Sequence, residues 1–203
     1  MQTENNKLNE NESINIMNPQ GEYNGKGKEY YENGDIKFEG DYINGKRNRN
    51  GTEYYSKKND CNNFGRNMMT MSFLSSLDRY GILTDEGKHL YKIKKDKVKY
   101  IGQFLNGVKN GKGTSYKING QIEYEGEFLN NKIIRGKKYK NNKVIYEGDF
   151  CNQQYHGKGK EYINGHLIYE GEFEKGKRHG NGKEFKFGNV MFEGKYENGN
   201  RVE

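Results

Sequence analysis

The chain has no tryptophan, one proline and two cysteines in 203 residues, and only 31% of it is hydrophobic. Each shortage excludes something. A soluble globule is usually about 45–50% apolar, so this chain has too little aliphatic material for an ordinary two-layer core. A single proline beside 28 glycines rules out both collagen and a proline-rich spacer. Cys61 and Cys151 form no CxxC and no short-spaced even framework, which points to a reducing, cytoplasmic setting. The longest apolar-leaning run, Met68 to Leu77, is about half the length of a membrane span. Met1 to Asn11 is polar and has no apolar run, so no secretory leader is expected. The net charge is +7, but 28 acidic residues are interleaved with 35 basic ones, which describes a solvated mixed surface better than a dedicated anion site.

What the chain does have is aromatic, with 17 tyrosines and 10 phenylalanines, and it repeats. From Tyr100 onward the triplets Tyr100-x-Gly102-x-Phe104, Tyr124-x-Gly126-x-Phe128, Tyr146-x-Gly148-x-Phe150 and Tyr169-x-Gly171-x-Phe173 recur, followed by Phe192-x-Gly194-x-Tyr196. Their leading rings are 24, 22, 23 and 23 residues apart, the period of an array of small units. Within a unit, Tyr169, Gly171 and Phe173 alternate with Glu170, Glu172 and Glu174, so a strand turns rings and carboxylates to opposite faces. Lys175-Gly176-Lys177 breaks that strand. A second one, Gly180 to Phe185, ends at a turn read through Gly188-Asn189, and Asn119-Gly120 and Asn164-Gly165 are the sister hairpin signals. Each unit is therefore two strands of five or six residues and two turns. The fold class expected is all-β, an elongated single-layer antiparallel ribbon of successive hairpins.

The unit Tyr146-Glu-Gly-Asp-Phe, then Gly157-Lys-Gly159-Lys-Glu-Tyr162 and Asn164-Gly165, repeated from Tyr169, resembles the MORN repeat (membrane occupation and recognition nexus). That repeat is an aromatic-x-Gly-x-aromatic strand followed by Gly-x-Gly. The resemblance implies assembly rather than chemistry: such arrays accompany membrane junctions and cytoskeletal or ciliary structures, and are appended to lipid kinases and methyltransferases.

Taken in order, residues 1–13 read as a disordered tail and 14–203 as one array. Residues 14–55 hold the first repeats. Gly21, Gly25 and Gly27 mark a faint unit from Ile14, and Phe38-Glu-Gly40-Asp-Tyr42 leads the next, with Arg49 where the first glycine of Gly-x-Gly belongs. Residues 56–99 are irregular. Met69-x-Met71-x-Phe73 with Gly65 and Gly81 suits a stretched repeat, while Met69, Phe73, Leu77 and Tyr80 also suit a short helix packed on the sheet, and the sequence leaves both open. Residues 100–203 are the regular repeats. The last strand, from Phe192 toward Glu203, has an edge that could take a second copy or a partner strand.

No catalytic, metal or cofactor site is expected. His156 and His179 occupy equivalent places in adjacent units, but a metal needs three or four ligands and neither cysteine lies at a suitable offset. Gly111-Lys112-Gly113 lacks the spacing and the hydroxyl residue of a phosphate loop, and its glycines suit a ring lying flat across the backbone. The glutamates recur once per unit, so no two stand in unlike environments as a general acid and base must, and cross-strand pairing with lysine accounts for them.

Two binding surfaces remain. One is the aromatic face, Tyr100, Phe104, Tyr124, Phe128, Tyr146, Phe150, Tyr169 and Phe173, which can serve as a trough or as the core itself. The other is a basic patch, Lys88, Lys92, Lys94, Lys95, Lys97 and Lys99. The expected function is a non-catalytic scaffold that docks a protein segment, at the cytoskeleton or a membrane periphery. The alternatives are a module for acidic phospholipids such as phosphoinositides, through the lysines, and single-stranded nucleic acid binding, which the acidic ladder disfavours.

Overall fold

The computed structural model describes residues 16–17, 22–56 and 97–202. The tail over 1–13 and the choice between stretched repeat and helix within 56–99 lie outside the described residues. The described chain is all β. In order, the strands are β1 (Ile16–Met17), β2 (Tyr23–Tyr30), β3 (Ile36–Ile43), β4 (Lys46–Tyr54), β5 (Val98–Leu105), β6 (Val108–Tyr116) and β7 (Ile122–Leu129). They continue as β8 (Lys132–Lys140), β9 (Lys143–Cys151), β10 (Gln154–Ile163), β11 (His166–Glu174), β12 (Lys177–Lys186), β13 (Asn189–Glu197) and β14 (Asn200–Val202). Each pairs antiparallel with the next, giving one open sheet whose spatial order is its chain order. At about 4.8 Å per strand, fourteen strands extend about 60 Å across the pairing direction, so the ribbon grows by hairpins as its repeats demand.

Strands β2 to β13 have 8–10 residues, longer than the five or six expected. The added residues lie next to the turns: β11 starts at His166 ahead of Tyr169, and β12 takes in Lys177 to His179 ahead of Gly180, so the strands run right up to two-residue turns. In-register pairing sets one glycine of each strand from β2 to β13 beside one of the next, as Gly27↔Gly40↔Gly51↔Gly102↔Gly113↔Gly126 and onward through Gly136, Gly148, Gly159, Gly171 and Gly182 to Gly194. Rings from the neighbouring strands lie on this row. A β-carbon at Gly148 would stand 2.6 Å from the Gly159 α-carbon, and one at Gly113, Gly159 or Gly182 would overlap the ring of Tyr100, Tyr146 or Tyr169.

The hairpins turn mostly through two residues with positive φ, as in Asn44-Gly45, Asn106-Gly107, Asn164-Gly165 and Asn198-Gly199. That is the type I′ geometry whose twist matches the strands. Two turn expectations need correction. Asn119-Gly120 belongs to a five-residue connection closed by Lys117 and Gln121, in which Gly120 alone of the two has positive φ. The turn read at Gly188-Asn189 is formed by Phe187 and Gly188, at φ 52° and 82°. Arg49 keeps the left-handed conformation of the glycine it replaces, with φ 51°.

The core is the aromatic column on this one face. Phe38, Tyr100, Tyr146 and Tyr169 are fully buried and meet flanking rings edge to face, as in Tyr146 with Phe150 and Phe173 at centroid distances of 5.1 and 5.2 Å. A second cluster, Tyr54, Val98 and Tyr116, lies beside the first.

The close approach over the glycine row makes a specific prediction. Gly113→Ala drives a methyl into the Tyr100 ring and should cost about 3 kcal/mol by overpacking. Gly165→Ala, where φ is +87° and nothing lies within 4 Å, should cost only the backbone strain of about 1 kcal/mol. Urea denaturation of the two variants decides, and equal losses would mean that the rings do not rest on the row.

Candidate interaction strip

Seven of the eight ring residues nominated from the sequence, Tyr100, Phe104, Phe128, Tyr146, Phe150, Tyr169 and Phe173, are buried, while Tyr124 is half-buried. The rings are the core of the ribbon, not an open trough. What lies over them is a residue the sequence reading missed, nine positions after each leading ring: Arg47, Lys109, Ile133, Tyr155, Arg178 and Arg201. The register explains the spacing. The chain runs out along one strand, turns, and returns so that this side chain pairs with the second ring of the unit, as in Tyr42↔Arg47, Phe104↔Lys109 and Phe173↔Arg178. From there it reaches back over the leading ring.

Three guanidinium groups, of Arg47, Arg178 and Arg201, lie 4.3, 4.4 and 4.4 Å from the ring centroids of Phe38, Tyr169 and Phe192. The Lys109 ammonium stands 4.6 Å from Tyr100. Such contacts add about 0.5–1 kcal/mol where exposed and about 2 kcal/mol where water is excluded, and Arg201 is the exposed one of the four. Tyr155 does the same work by stacking, 3.8 Å from Tyr146 with the ring planes 2° apart. Ile133, buried, fills the place with aliphatic surface.

The cations are held by carboxylates from the row that carries the leading rings. That row reads Glu29, Phe38, Glu53, Tyr100, Ser115, Tyr124, Lys138, Tyr146, Glu161, Tyr169, Glu184, Phe192, one residue per strand from β2 to β13. Arg47 spans Glu29 at 2.6 Å and Glu53 at 3.4 Å, and Arg178 spans Glu161 at 2.8 Å and Glu184 at 2.7 Å. Lys109 pairs with Glu53 at 3.0 Å and Arg201 pairs with Glu184. The Arg47 hydrogen bond holds Glu29 below its ordinary range. Burial by itself would raise Glu53, but Lys109, Lys99 and Arg47 together hold it low. For Lys109 the balance is the other way, and burial outweighs Glu53 and lowers it.

The opposite face carries the alternating charges read from the sequence. Lys28–Glu39, Lys160–Glu170 and Lys183–Glu193 pair across strands at 3.6, 3.4 and 2.9 Å. Between two such rails run shallow grooves floored by glycine backbone, of about 510 Å³ at Gly113, Gly126 and Gly136 and about 500 Å³ at Gly159 and Gly171. The Glu–Lys pairs are exposed and contribute little each.

Of the basic patch, Lys88, Lys92, Lys94 and Lys95 lie outside the described residues. Lys97 enters β5 with φ 52°, and its carbonyl accepts the Tyr55 N–H. Lys99 is committed to Glu53 at 3.6 Å and lies 5.8 Å from the Tyr55 ring centroid. His156 and His179 sit on β10 and β12, the latter 3.6 Å from Glu174, and among the described residues no three acidic, histidine or cysteine groups converge as a metal site. Among the described residues no helix is long and apolar enough to cross a membrane.

The two ionisable rows set the pH limits of the fold. Glu29, Glu53 and Glu184 are depressed below 4.5, so their contribution is complete above that pH and is lost as the pH falls through the lower folded-state values. Burial pushes Tyr100, Tyr155 and Tyr169 up to about 12 from 10.0. Their contribution is complete below pH 10 and is lost as the pH rises toward 12. Unfolding free energy should therefore fall on both sides, and the tyrosinate absorbance of these rings should rise together with loss of the β circular dichroism signal. Full tyrosine ionisation near pH 10 in a still-folded protein would contradict the burial.

Comparison with known proteins agrees with this geometry. The MORN repeat family matches at residues 20–36, 38–59, 100–122, 124–133 and 169–186. No curated protein matches the chain. The five matches fall in register with the glycine row and with the unmatched unit led by Tyr146, and the chain carries MORN repeats at these five places.

Proposed function

We propose that this protein is an interaction scaffold that docks a protein segment along the strip of side chains lying over its aromatic core. MORN repeats suggest a protein-interaction or membrane-associated module, and this reading commits to the first. The observation that carries it is the periodicity of the strip. One covering residue per unit recurs about every 10 Å, two strand spacings apart, as a cation at Arg47, Lys109, Arg178 and Arg201 and a ring at Tyr155, with Ile133 buried in the remaining place. An extended or helical segment laid along the sheet can meet several of them at once, on a support that its own rings keep rigid. The setting proposed is an assembly at the cytoskeleton or the periphery of a membrane, with the ribbon as the fixed element and the partner as the ordered segment.

Lipid and nucleic acid are the competing ligands, and salt separates them from a packed peptide. Binding of phosphoinositide vesicles or of an oligonucleotide should be weak and collapse between about 0.1 and 0.5 M salt. A protein partner recovered on the full-length chain should remain bound in the higher salt and be lost on Tyr155→Ala with Arg178→Ala. The quadruple change of Lys92, Lys94, Lys95 and Lys97 to glutamate should leave that protein binding intact. Loss of all binding on the quadruple change, with vesicles as the tightest ligand, would replace the scaffold reading with the membrane one.

A further inference from the structure

The carboxylate row has a gap. Toward either end each second residue is a glutamate clamped to an arginine or lysine, namely Glu29, Glu53, Glu161 and Glu184. In the middle, on β6 and β8, the same positions are Ser115 and Lys138. The hydroxyl of Ser115, on a residue 9% exposed, has no hydrogen-bond partner. Lys109 is therefore clamped on one side only, by Glu53, where Arg47 and Arg178 are clamped on both. Lys138 stands 5.6 and 5.4 Å from the centroids of Tyr124 and Tyr155, and among the described residues no carboxylate lies within ion-pair distance of it.

The ring column breaks at the same place. Edge-to-face contacts run from Tyr23 through Tyr100 to Phe128, and again from Tyr124 through Tyr146 to Phe192, but Phe128 and Tyr124 do not touch in this way. A physical cause is at hand: the unit led by Tyr124 is one residue short. Gly136 follows its leading ring by twelve positions where Gly113, Gly159 and Gly182 follow theirs by thirteen, and Arg135 replaces the positive-φ glycine that bulges β6, β10 and β12.

We infer that this gap is the anchor point of the strip and takes an acidic side chain, aspartate or glutamate, from a partner's peptide segment, paired with Lys138 beside Tyr124 and Tyr155. The inference rests on the docking reading above and specifies the partner's chemistry. Charge complementarity selects it. The two ends of the row are neutralised within the chain, so a basic residue finds its carboxylates occupied there, whereas an acidic one finds a cation with a half-open aromatic setting. The partner's carboxylate completes, in trans, the alternation that Glu53 and Glu161 supply in cis.

The test uses the full chain and three peptides that differ in one residue, Leu-Ala-Glu-Ala-Leu and its Gln and Lys counterparts, capped at both ends, followed by NMR. The Glu peptide should shift the signals of Lys138, Ile133, Tyr124 and Tyr155, and bind about tenfold more tightly than the Gln peptide, with the Lys peptide weakest. Lys138→Gln should remove that preference. Lys138→Glu should reverse it, and Lys140→Glu, the same charge change on an exposed neighbour, should not. Ser115→Glu, which gives Lys109 its second carboxylate from within the chain, should weaken the Glu peptide while the β signal is retained. If the three peptides shift the strip equally, docking stands and the acidic preference is wrong. If none shifts it, or if the shifts fall on the opposite-face lysines, both readings fall. Phosphatidylserine vesicles that shift Lys138 more than the Glu peptide does would make the anchor a lipid site and overturn the peptide.

Discussion

A tyrosine ring cannot lie flat on a β-sheet unless the residue beneath it has no side chain, and the rest of this structure follows from that exclusion. The row from Gly27 to Gly194 gives each strand from β2 to β13 one such place, and the register brings each place beside the next. Rings that would otherwise stand off the sheet come down onto its backbone. They then bury one another edge to face along the ribbon, so a single layer acquires a core without a second sheet or a helix to cover it. Because each unit packs mainly on its neighbours, stability accrues unit by unit.

The same constraint decides what the surface can be. With the rings down, their outer faces need cover, and the covering side chain must come from the returning strand, nine residues on, where its stem can lie over the ring and its head can reach a carboxylate. Arginine and lysine serve both ends of that requirement, which is why the strip is rich in them and why glutamate alternates with rings along the next row. Where one residue is missing from the unit led by Tyr124, the register shift narrows to the single residue Ile134, Ile133 is the cover, and the alternation lapses nearby at Ser115 and Lys138. The functional proposal and the irregularity of the sequence thus meet at one place.

Much of the architecture was legible because it depends on residues with sharp preferences. Glycine at fixed intervals, aromatic residues in period two and Asn-Gly turns gave the hairpins, their order and the facing of Tyr169 and Phe173 away from Glu170 and Glu172. Strand lengths were read too short because the residues beside each turn, such as Lys177 to His179, carry no aromatic alternation, although they pair right up to the two-residue turn. Asn119-Gly120 shows the limit of a dipeptide signal, since loop length outside the pair sets the turn. The binding face was read as the rings because hydrophobic pattern marks what is buried and what binds in the same way. The covering residues were visible in principle, as cations nine after Phe38, Tyr100, Tyr169 and Phe192, but only the antiparallel register shows what that interval means. The single-residue deletion was also countable, in the 22-residue step from Tyr124, although its effect on charge pairing needed the side chains in place.

The central claim, that rings rest directly on the glycine row, can be read from the α-proton shifts of the glycines in solution. A proton beneath an aromatic face is shielded, so Gly51, Gly113, Gly159 and Gly182 should each show one α-proton far upfield of its geminal partner, while Gly107, Gly165 and Gly199 in the turns should not. Row and turn glycines with the same small splittings would mean that the rings stand away from the backbone, and that the ribbon is held together by something else.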